Sequence, residues 1–149
     1  MINKKFDIFI ELATLFDLTE INEILSDNNL RNDDLDLKNM HIYKLIHKKE
    51  IIGTGTLEKR GDYALLRSVA IKENYKNKGL GKFFCNELLK ISKEKNIKAL
   101  YLLTTTAASF FESLGFIECQ RESVPSEVQS SKQFSLTCPK SAKCLMKNL

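Results

Sequence analysis

The stretch from Tyr63 to Lys82 restricts the fold more than any other part of this 149-residue chain. Tyr63 to Ile71 is its strongest strand candidate, apolar except at Arg67 and Ser68. A basic loop follows, and Gly79 and Gly81 open a segment running to about Lys95. Leu80, Phe83, Phe84, Leu88 and Ile91 fall mostly on one face of that segment, the signature of an amphipathic helix. Ala99-Leu100-Tyr101-Leu102-Leu103 is a short buried strand. Strand, helix and strand in that order require a crossover, so the two strands are expected to be parallel.

The rest of the chain suits an antiparallel surround. Phe6 to Leu12 has period-2 alternation and reads as a first strand. Leu18, Ile21, Ile24 and Leu25 keep helical spacing, with the helix ending near Asn28-Asn29. His41 to His47 and Ile51 to Leu57 form a hairpin signal across Lys48-Lys49-Glu50, although that turn is not of the strongest type. A second turn at Lys59 to Asp62 leads into the strand at Tyr63. Ala107 to Leu114 reads as a helix stopped by Gly115, a residue suited to a left-handed cap. Phe116 to Cys119 and Ala142 to Met146 supply closing strands. The expected fold class is α/β (α+β), a mixed sheet flanked by helices, in one domain over residues 1–149.

Composition removes several classes. Hydrophobic residues at 43% and charged residues at 28% are ordinary for a globular chain and argue against wholesale disorder. No apolar run approaches the ~20 residues of a membrane span, and the N-terminus lacks a secretory core and cleavage site; a cytoplasmic protein with no membrane partner is expected. The net charge of +4 is spread widely, without the dense basic tract or interleaved aromatics of a nucleic-acid binder. Cys85, Cys119, Cys138 and Cys144 form no C-x-x-C pair, and there are only two histidines. Reduced thiols and no metal are therefore expected, with the spacing of Cys138 and Cys144 leaving a soft-metal or metalloid site as a minor alternative.

The chemistry concentrates at Ser68 to Lys82. A helix N-terminus offers unpaired N–H groups and the positive end of a dipole, where a phosphate fits. Glycine at 79 and 81 removes side chains that would block an anion's approach. Lys72, Lys76, Lys78 and Lys82 surround the position and are candidates to pair with several phosphates. The plainer reading is a surface turn with solvated lysines. Neither G-x-G-x-x-G nor G-x-x-x-x-G-K-[ST] is met.

Val69-Ala70-Ile71 followed by Lys76-Asn77-Lys78-Gly79-Leu80-Gly81 resembles the Q/R-x-x-G-x-G/A loop of the GNAT N-acetyltransferases, with Lys76 in place of Gln or Arg. Phe110-Phe111-Glu112-Ser113-Leu114-Gly115-Phe116 resembles that superfamily's second signature, a helix ending in Leu-Gly-Phe. Leu66 to Ala70, Tyr101 to Ala107 and Cys138 to Cys144 look more narrowly like arsenic-resistance-associated N-acetyltransferases and the acetyltransferase domain of N-acetylglutamate synthases. The likeness covers about residues 5 to 149. It implies a mostly antiparallel sheet whose central parallel pair splays to admit coenzyme A, with helices on both faces. Acetyl-coenzyme A would be co-substrate, and a small amino acid or similar compound the acceptor, its amine attacking the thioester directly in a ternary complex.

Carried over residue by residue, the resemblance implies that Val69, Ala70 and Ile71 hold the pantetheine arm and stabilise the oxyanion. Lys76, Asn77, Lys78, Gly79, Leu80, Gly81 and Lys82 would hold the diphosphate. Thr104 and Phe111 complete the coenzyme site, and Leu30 and Thr105 border the acceptor. Arg67 either clamps an acceptor carboxylate through its fork or points to solvent from the opposite face. At least one of Thr104 to Thr106 is expected to cap the following helix. Many relatives place a tyrosine acid where this chain has Phe111, so the catalytic acid and base are unassigned. Rival readings are a protein or peptide N-acetyltransferase and a non-catalytic acyl-coenzyme A-binding module. A homodimer, if one forms, is expected to use the C-terminal strand region.

Overall fold

The computed structural model describes residues 2–3, 7–137 and 141–149. They form an eight-stranded sheet in the order β1-β2-β3-β4-β5-β6-β8-β7. The strands are β1 (Ile2–Asn3), β2 (Ile8–Leu12), β3 (His41–His47), β4 (Glu50–Arg60), β5 (Tyr63–Ile71), β6 (Ala99–Thr104), β7 (Ile117–Glu118) and β8 (Lys143–Asn148). Every neighbouring pair is antiparallel except β5 and β6. The helices are α1 (Leu18–Asp27), α2 (Leu80–Glu94), α3 (Ala108–Ser113) and the single turn α4 (Ser126–Gln129). Among the described residues no helix is long and apolar enough to cross a membrane.

Alternation along the strands sorts the core onto two faces. Leu80, Phe84, Cys85, Leu88 and Leu89 of α2 pack with Tyr43, Leu45, Leu66, Leu100 and Leu102, together with Phe111 and Leu114. On the other face α1 packs Ile21, Ile24 and Leu25 on Ile42, Ile51 and Ala70. Val124 and Val128 cover Leu65, Tyr101 and Leu103 on that same face. Residues 120–141, for which the sequence suggests no element, supply α4 and a wide turn at Gln133–Thr137. Cys138 lies outside the described residues, and so does the idea of a site shared with Cys144.

The β3–β4 hairpin closes through a tighter turn than expected. Only Lys48 and Lys49 lie between the strands, with φ of 47° and 68°. Two consecutive left-handed residues make a primed turn whose twist matches the hairpin. Lysine carries none of the Asn-Gly signal of such turns, which is why the sequence places the boundary one residue late.

The Leu-Gly-Phe ending of α3 has a specific physical cause. Gly115 has φ of 96°; its N–H donates to the Glu112 carbonyl at 3.0 Å, and the Phe116 N–H donates to the Phe111 carbonyl at 3.2 Å. These are the two bonds of a Schellman cap, and its usual hydrophobic contact is present. The Phe111 and Phe116 ring centroids lie 5.7 Å apart, edge to face. The cap thus fixes the rotation of Phe111, the side chain that matters at the site. A Cβ on Gly115 would also collide with the Lys147 ammonium. Gly115→Ala is therefore expected to destabilise the fold by about 1–2 kcal/mol, read as a lower urea midpoint with an unchanged m-value.

Candidate functional site

The parallel pairing of β5 and β6 is brief. It covers Tyr63↔Ala99, Ala64↔Leu100 and Leu65↔Tyr101, then ceases, although both strands continue. On its other edge β5 stays paired with β4 but carries an irregularity: Thr56 is opposite Arg67 and Thr54 opposite Ala70, which leaves Ser68 and Val69 facing Gly55 alone. Ser68 takes φ of 56°. An extra residue in one strand of a pair bends that strand and deepens its twist, so the bulge turns β5 away from β6 at the point where their ladder ends.

Between the diverging strands lies a cavity of about 400 Å³. Leu66 to Val69 form one wall and Leu102 to Ala107 the other. Asn28 to Arg31, from the end of α1, close one side, and Phe111, Gln133 and Ala142 contribute at the other. Of the residues carried over from the motifs, Arg67, Val69, Thr104, Thr105, Phe111 and Leu30 share this lining.

The glycine loop sits where β5 passes into α2. Asn77 and Gly79 are both left-handed, with φ of 62° and 78°, and α2 begins at Leu80 with no side-chain cap and no acidic residue in its first turn. The first-turn N–H groups of such a helix have no intrahelical acceptor, and left-handed residues bend successive amides toward one concavity. A Cβ at Gly79 would meet no protein atom within 4 Å, so within the fold it is the left-handed backbone and not packing that calls for glycine there. At Gly81 a Cβ would lie 3.6 Å from the Phe110 ring, an ordinary contact.

The four lysines do not all face the loop. Lys72 donates to Glu50 at 2.9 Å, and the Tyr75 hydroxyl donates to the same carboxylate at 3.2 Å. The Lys72 hydrogen bond holds the Glu50 carboxyl below its ordinary range and the Lys72 ammonium above its own. Lys76 pairs with Glu73 at 3.0 Å, and Lys78 lies over the Tyr75 ring at 5.7 Å from its centroid. Lys82 is exposed on the first turn of α2. The lysine field at the loop is therefore partly neutralised by neighbouring acids, while the first-turn backbone amides of α2 have no side-chain cap.

Arg67 fits neither of the two readings made of it. Its side chain is buried, not solvated, and both fork ends are already engaged. One guanidinium NH₂ donates to the two Asp34 oxygens at 2.6 Å and the other to Glu58 at 2.9 Å. Arg60 approaches Glu58 at 3.6 Å from the other side. Only Arg67 Nε lacks a partner among the described residues. The physical reason is burial: an enclosed guanidinium needs counter-charges, and Asp34 and, on β4, Glu58 supply them. Sequence offered no means of pairing residues thirty-three and nine positions apart.

Three further residues were not singled out as site residues. Asn28 donates to the Ile24 carbonyl at 2.8 Å and to the Ile71 carbonyl at 3.3 Å, bolting the end of α1 to the end of β5. That bond occupies one of the backbone groups assigned to the pantetheine arm. Ser68 supplies the bulge, and Gln133 reaches the cavity with a buried Oε1 lacking a partner among the described residues. Only the Asn28-Asn29 helix ending hinted at any of them. No threonine caps α3, contrary to expectation: its N-cap position is Ala107, without a side-chain cap, and the Thr104 hydroxyl accepts the Ala107 N–H at 2.9 Å in the turn before the helix. His41 and His47 are half-buried, and His41 is held below its ordinary pKa by burial and then by Lys95 and Lys59.

The model of the GNAT family of acetyltransferases matches residues 9–116. This chain belongs to the GNAT family. An uncharacterized N-acetyltransferase of Chlorobaculum tepidum is 27% identical over 81 residues, 54% of this chain and 50% of the relative. This GNAT chain spans about half the length of the curated relatives it matches. Among solved structures, N-acetylglutamate synthase from Neisseria gonorrhoeae, complexed with coenzyme A and L-arginine, superimposes with a TM-score of 0.80 at 16% identity. That match covers 95% of this chain and 33% of the synthase. A GNAT family acetyltransferase from Elizabethkingia anophelis with acetyl-CoA bound gives 0.68 at 18% identity, over 95% of this chain and 98% of that one. At such identities the superpositions establish the shared GNAT fold, the mixed sheet with one parallel pair and helices on both faces.

Removing the arginine from its buried cluster would strand two carboxylates. Arg67→Met is expected to cost about 3–5 kcal/mol of stability, measurable by urea unfolding followed by circular dichroism. Substituting the exposed Lys82 by Met should leave the midpoint within about 0.5 kcal/mol.

Proposed function

We propose that this chain moves the acetyl group of acetyl-CoA to the primary amine of a small acceptor, by direct attack. The observation that carries the reading is the parting of β5 from β6 after three residue pairs, with the uncapped start of α2 beside the opening. A strand edge freed in this way can bond an extended amide chain as a further strand would. An uncapped helix N-terminus can hold a diphosphate. The two features lie at successive positions of one polypeptide, as a carrier with a diphosphate at one end and an amide-containing arm demands.

In this reading the N–H groups of Asn77 to Lys82 hold the diphosphate, Lys76, Lys78 and Lys82 add longer-range attraction, and Val69 to Ile71 line the arm. Ser68 and Val69 have no register partner on β4, so a bulge N–H is the donor assigned to the carbonyl oxygen as negative charge develops there. Fixed donors of that kind are usually the largest catalytic contribution. Thr104, Thr105 and Phe111 shape the acetyl end, and Leu30 the acceptor end.

Proton transfer is left mainly to the reactants. Phe111 is buried between Phe110 and Phe116 and has no proton to give. A thiol of pKa ~8.5 leaves without a strong acid. An α-amine of pKa ~8 is roughly a tenth neutral at pH 7, while a lysine ε-amine is below about a thousandth. A site lacking an evident base therefore favours an α-amine, as in an amino acid or a compound like one. We place the acceptor in that class and the protein in the cytoplasm.

An amine panel with free-thiol release as readout tests the reading. At pH 7, the amide of an ε-blocked lysine should turn over about 100-fold faster than an α-blocked lysine, the gap narrowing as pH rises to 9. Preference for the ε-amine would refute the assignment of acceptor class. Acetyl-CoA binding without thiol release for any amine would instead make the chain a non-catalytic acyl-coenzyme A module. Gly81→Glu sets a carboxylate in the first turn of α2 and should raise KM for acetyl-CoA about tenfold or more. No binding of acetyl-CoA by the unmodified protein in calorimetry would overturn the proposal.

A further inference from the structure

Away from the cavity mouth, two thiols are held face to face. Continuing the β7–β8 register of Ile117↔Met146 and Glu118↔Leu145 by one step sets Cys119 opposite Cys144. The Cys119 N–H donates to the Cys144 carbonyl at 2.9 Å, and the two Sγ atoms are 3.0 Å apart, with both cysteines free. Directly opposed residues in an antiparallel ladder have Cα atoms ~4.5–5.5 Å apart, inside the ~4.4–6.8 Å that a disulfide spans. Bridging them needs little backbone movement. Cys85 is different: it is wholly buried under α2, and burial pushes its thiol up to about 12.

The surroundings assign an order to the pair. Cys119 is half-buried and reachable from solvent, whereas Cys144 is only 4% exposed. Burial pushes the Cys144 thiol up, as do its hydrogen bond to Cys119 and that thiol's charge; Arg121, which donates to the Ala142 carbonyl at 3.1 Å, acts against them. Glu122 acts in the other sense. Tyr101 and Tyr63 are further titratable neighbours, the Tyr101 hydroxyl pushed up by burial, then by Cys119, Tyr63 and Cys144.

We propose that Cys119 and Cys144 form a redox-active dithiol that a two-electron thiol oxidant, a low-molecular-weight disulfide or a peroxide, closes into an intrachain disulfide. With a small disulfide, the Cys119 thiolate attacks one sulfur, the S–S bond breaks, and one small thiol leaves with the proton Cys119 gave up. Cys144 then loses its proton, attacks the Cys119 sulfur of the mixed disulfide and expels the second small thiol. The protein pair loses two electrons, and the oxidant is reduced to two thiols. With a peroxide, Cys119 breaks the O–O bond and becomes a sulfenic acid with release of an alcohol or water, and Cys144 displaces water from it. The finished bond staples β8 to the segment after β7. Ala142, on the cavity wall, is two residues from Cys144, so the bridge stiffens part of that wall.

The test uses the full chain, reduced and freed of reductant, with oxidised glutathione in one arm and hydrogen peroxide in the other. Intact mass should fall by about 2 Da, and non-reducing digestion should yield a peptide joining Cys119 to Cys144, with Cys85 still titratable after denaturation. A linked peptide in only one arm supports the dithiol and identifies its oxidant. Cys144→Ser should stop at a glutathione adduct on Cys119, and Cys119→Ser should give no such bridge. The bridged form should melt about 5 °C or more above the reduced form, reversibly with dithiothreitol. Absence of the linked peptide in both arms, or bridges running only to Cys138, would overturn the proposal. Neither result bears on acetyl transfer, which is read separately by thiol release.

Discussion

The functional part of this molecule depends on a ladder that stops. Two adjacent parallel strands ordinarily continue to exchange hydrogen bonds for as long as both remain extended, because unpaired backbone polar groups in an interior are costly. Here β5 and β6 exchange them over three residue pairs and then separate. The cost is tolerable because the exposed edge opens into a cavity that water or an extended ligand can fill. The bulge at Ser68–Val69 turns one strand away, while β6 stays paired with β8 along its whole length. The cavity is thus held on one side by a rigid ladder and on the other by a strand bent at a single non-glycine residue in the left-handed region.

The diphosphate site proposed at the mouth rests on backbone, not on charge count. A sequence with four lysines around two glycines suggests a strongly positive pocket. In the folded chain Glu50 and Glu73 take up Lys72 and Lys76, and Tyr75 sits beneath Lys78. Exposed ion pairs of this kind contribute little to stability, yet they lower the local field. What they leave intact is the geometry: two left-handed residues and an uncapped helix start direct amides to one place, and salt does little to screen so short a range.

The order of elements, the parallel pair, the capped end of α3 and the glycine loop were legible in the sequence, because each has a local cause. Apolar periodicity marks α2, a Gly after Leu114 marks a left-handed cap, and the crossover forces β5 and β6 parallel. What was not legible arises from distant pairing. Nothing local shows that Arg67 will meet Asp34 and Glu58, or that Asn28 will reach the carbonyl of Ile71. Ser68 in the left-handed region breaks the expectation that glycine or asparagine marks such points. The α4 segment is too short to show a period, and the Lys48-Lys49 turn uses residues that carry no turn signal.

The buried cluster around Arg67 also bears on the acceptor end proposed for the cavity. Were both fork ends of Arg67 free, an acceptor carboxylate would dock on it by two parallel bonds. With Asp34 and Glu58 in place, a carboxylate arriving there would meet two like charges around one guanidinium, with Arg60 reaching only as far as Glu58. The remaining donor, Nε, is buried and has no partner among the described residues. Gln133 Oε1 is also buried and unpartnered among the described residues. Both atoms are enclosed by protein, and the cavity is lined besides by Asn29, Ser68 and Thr104 to Thr106. In the function proposed above, a carboxylate on the acceptor would therefore be met elsewhere in the cavity than at the two fork ends of Arg67.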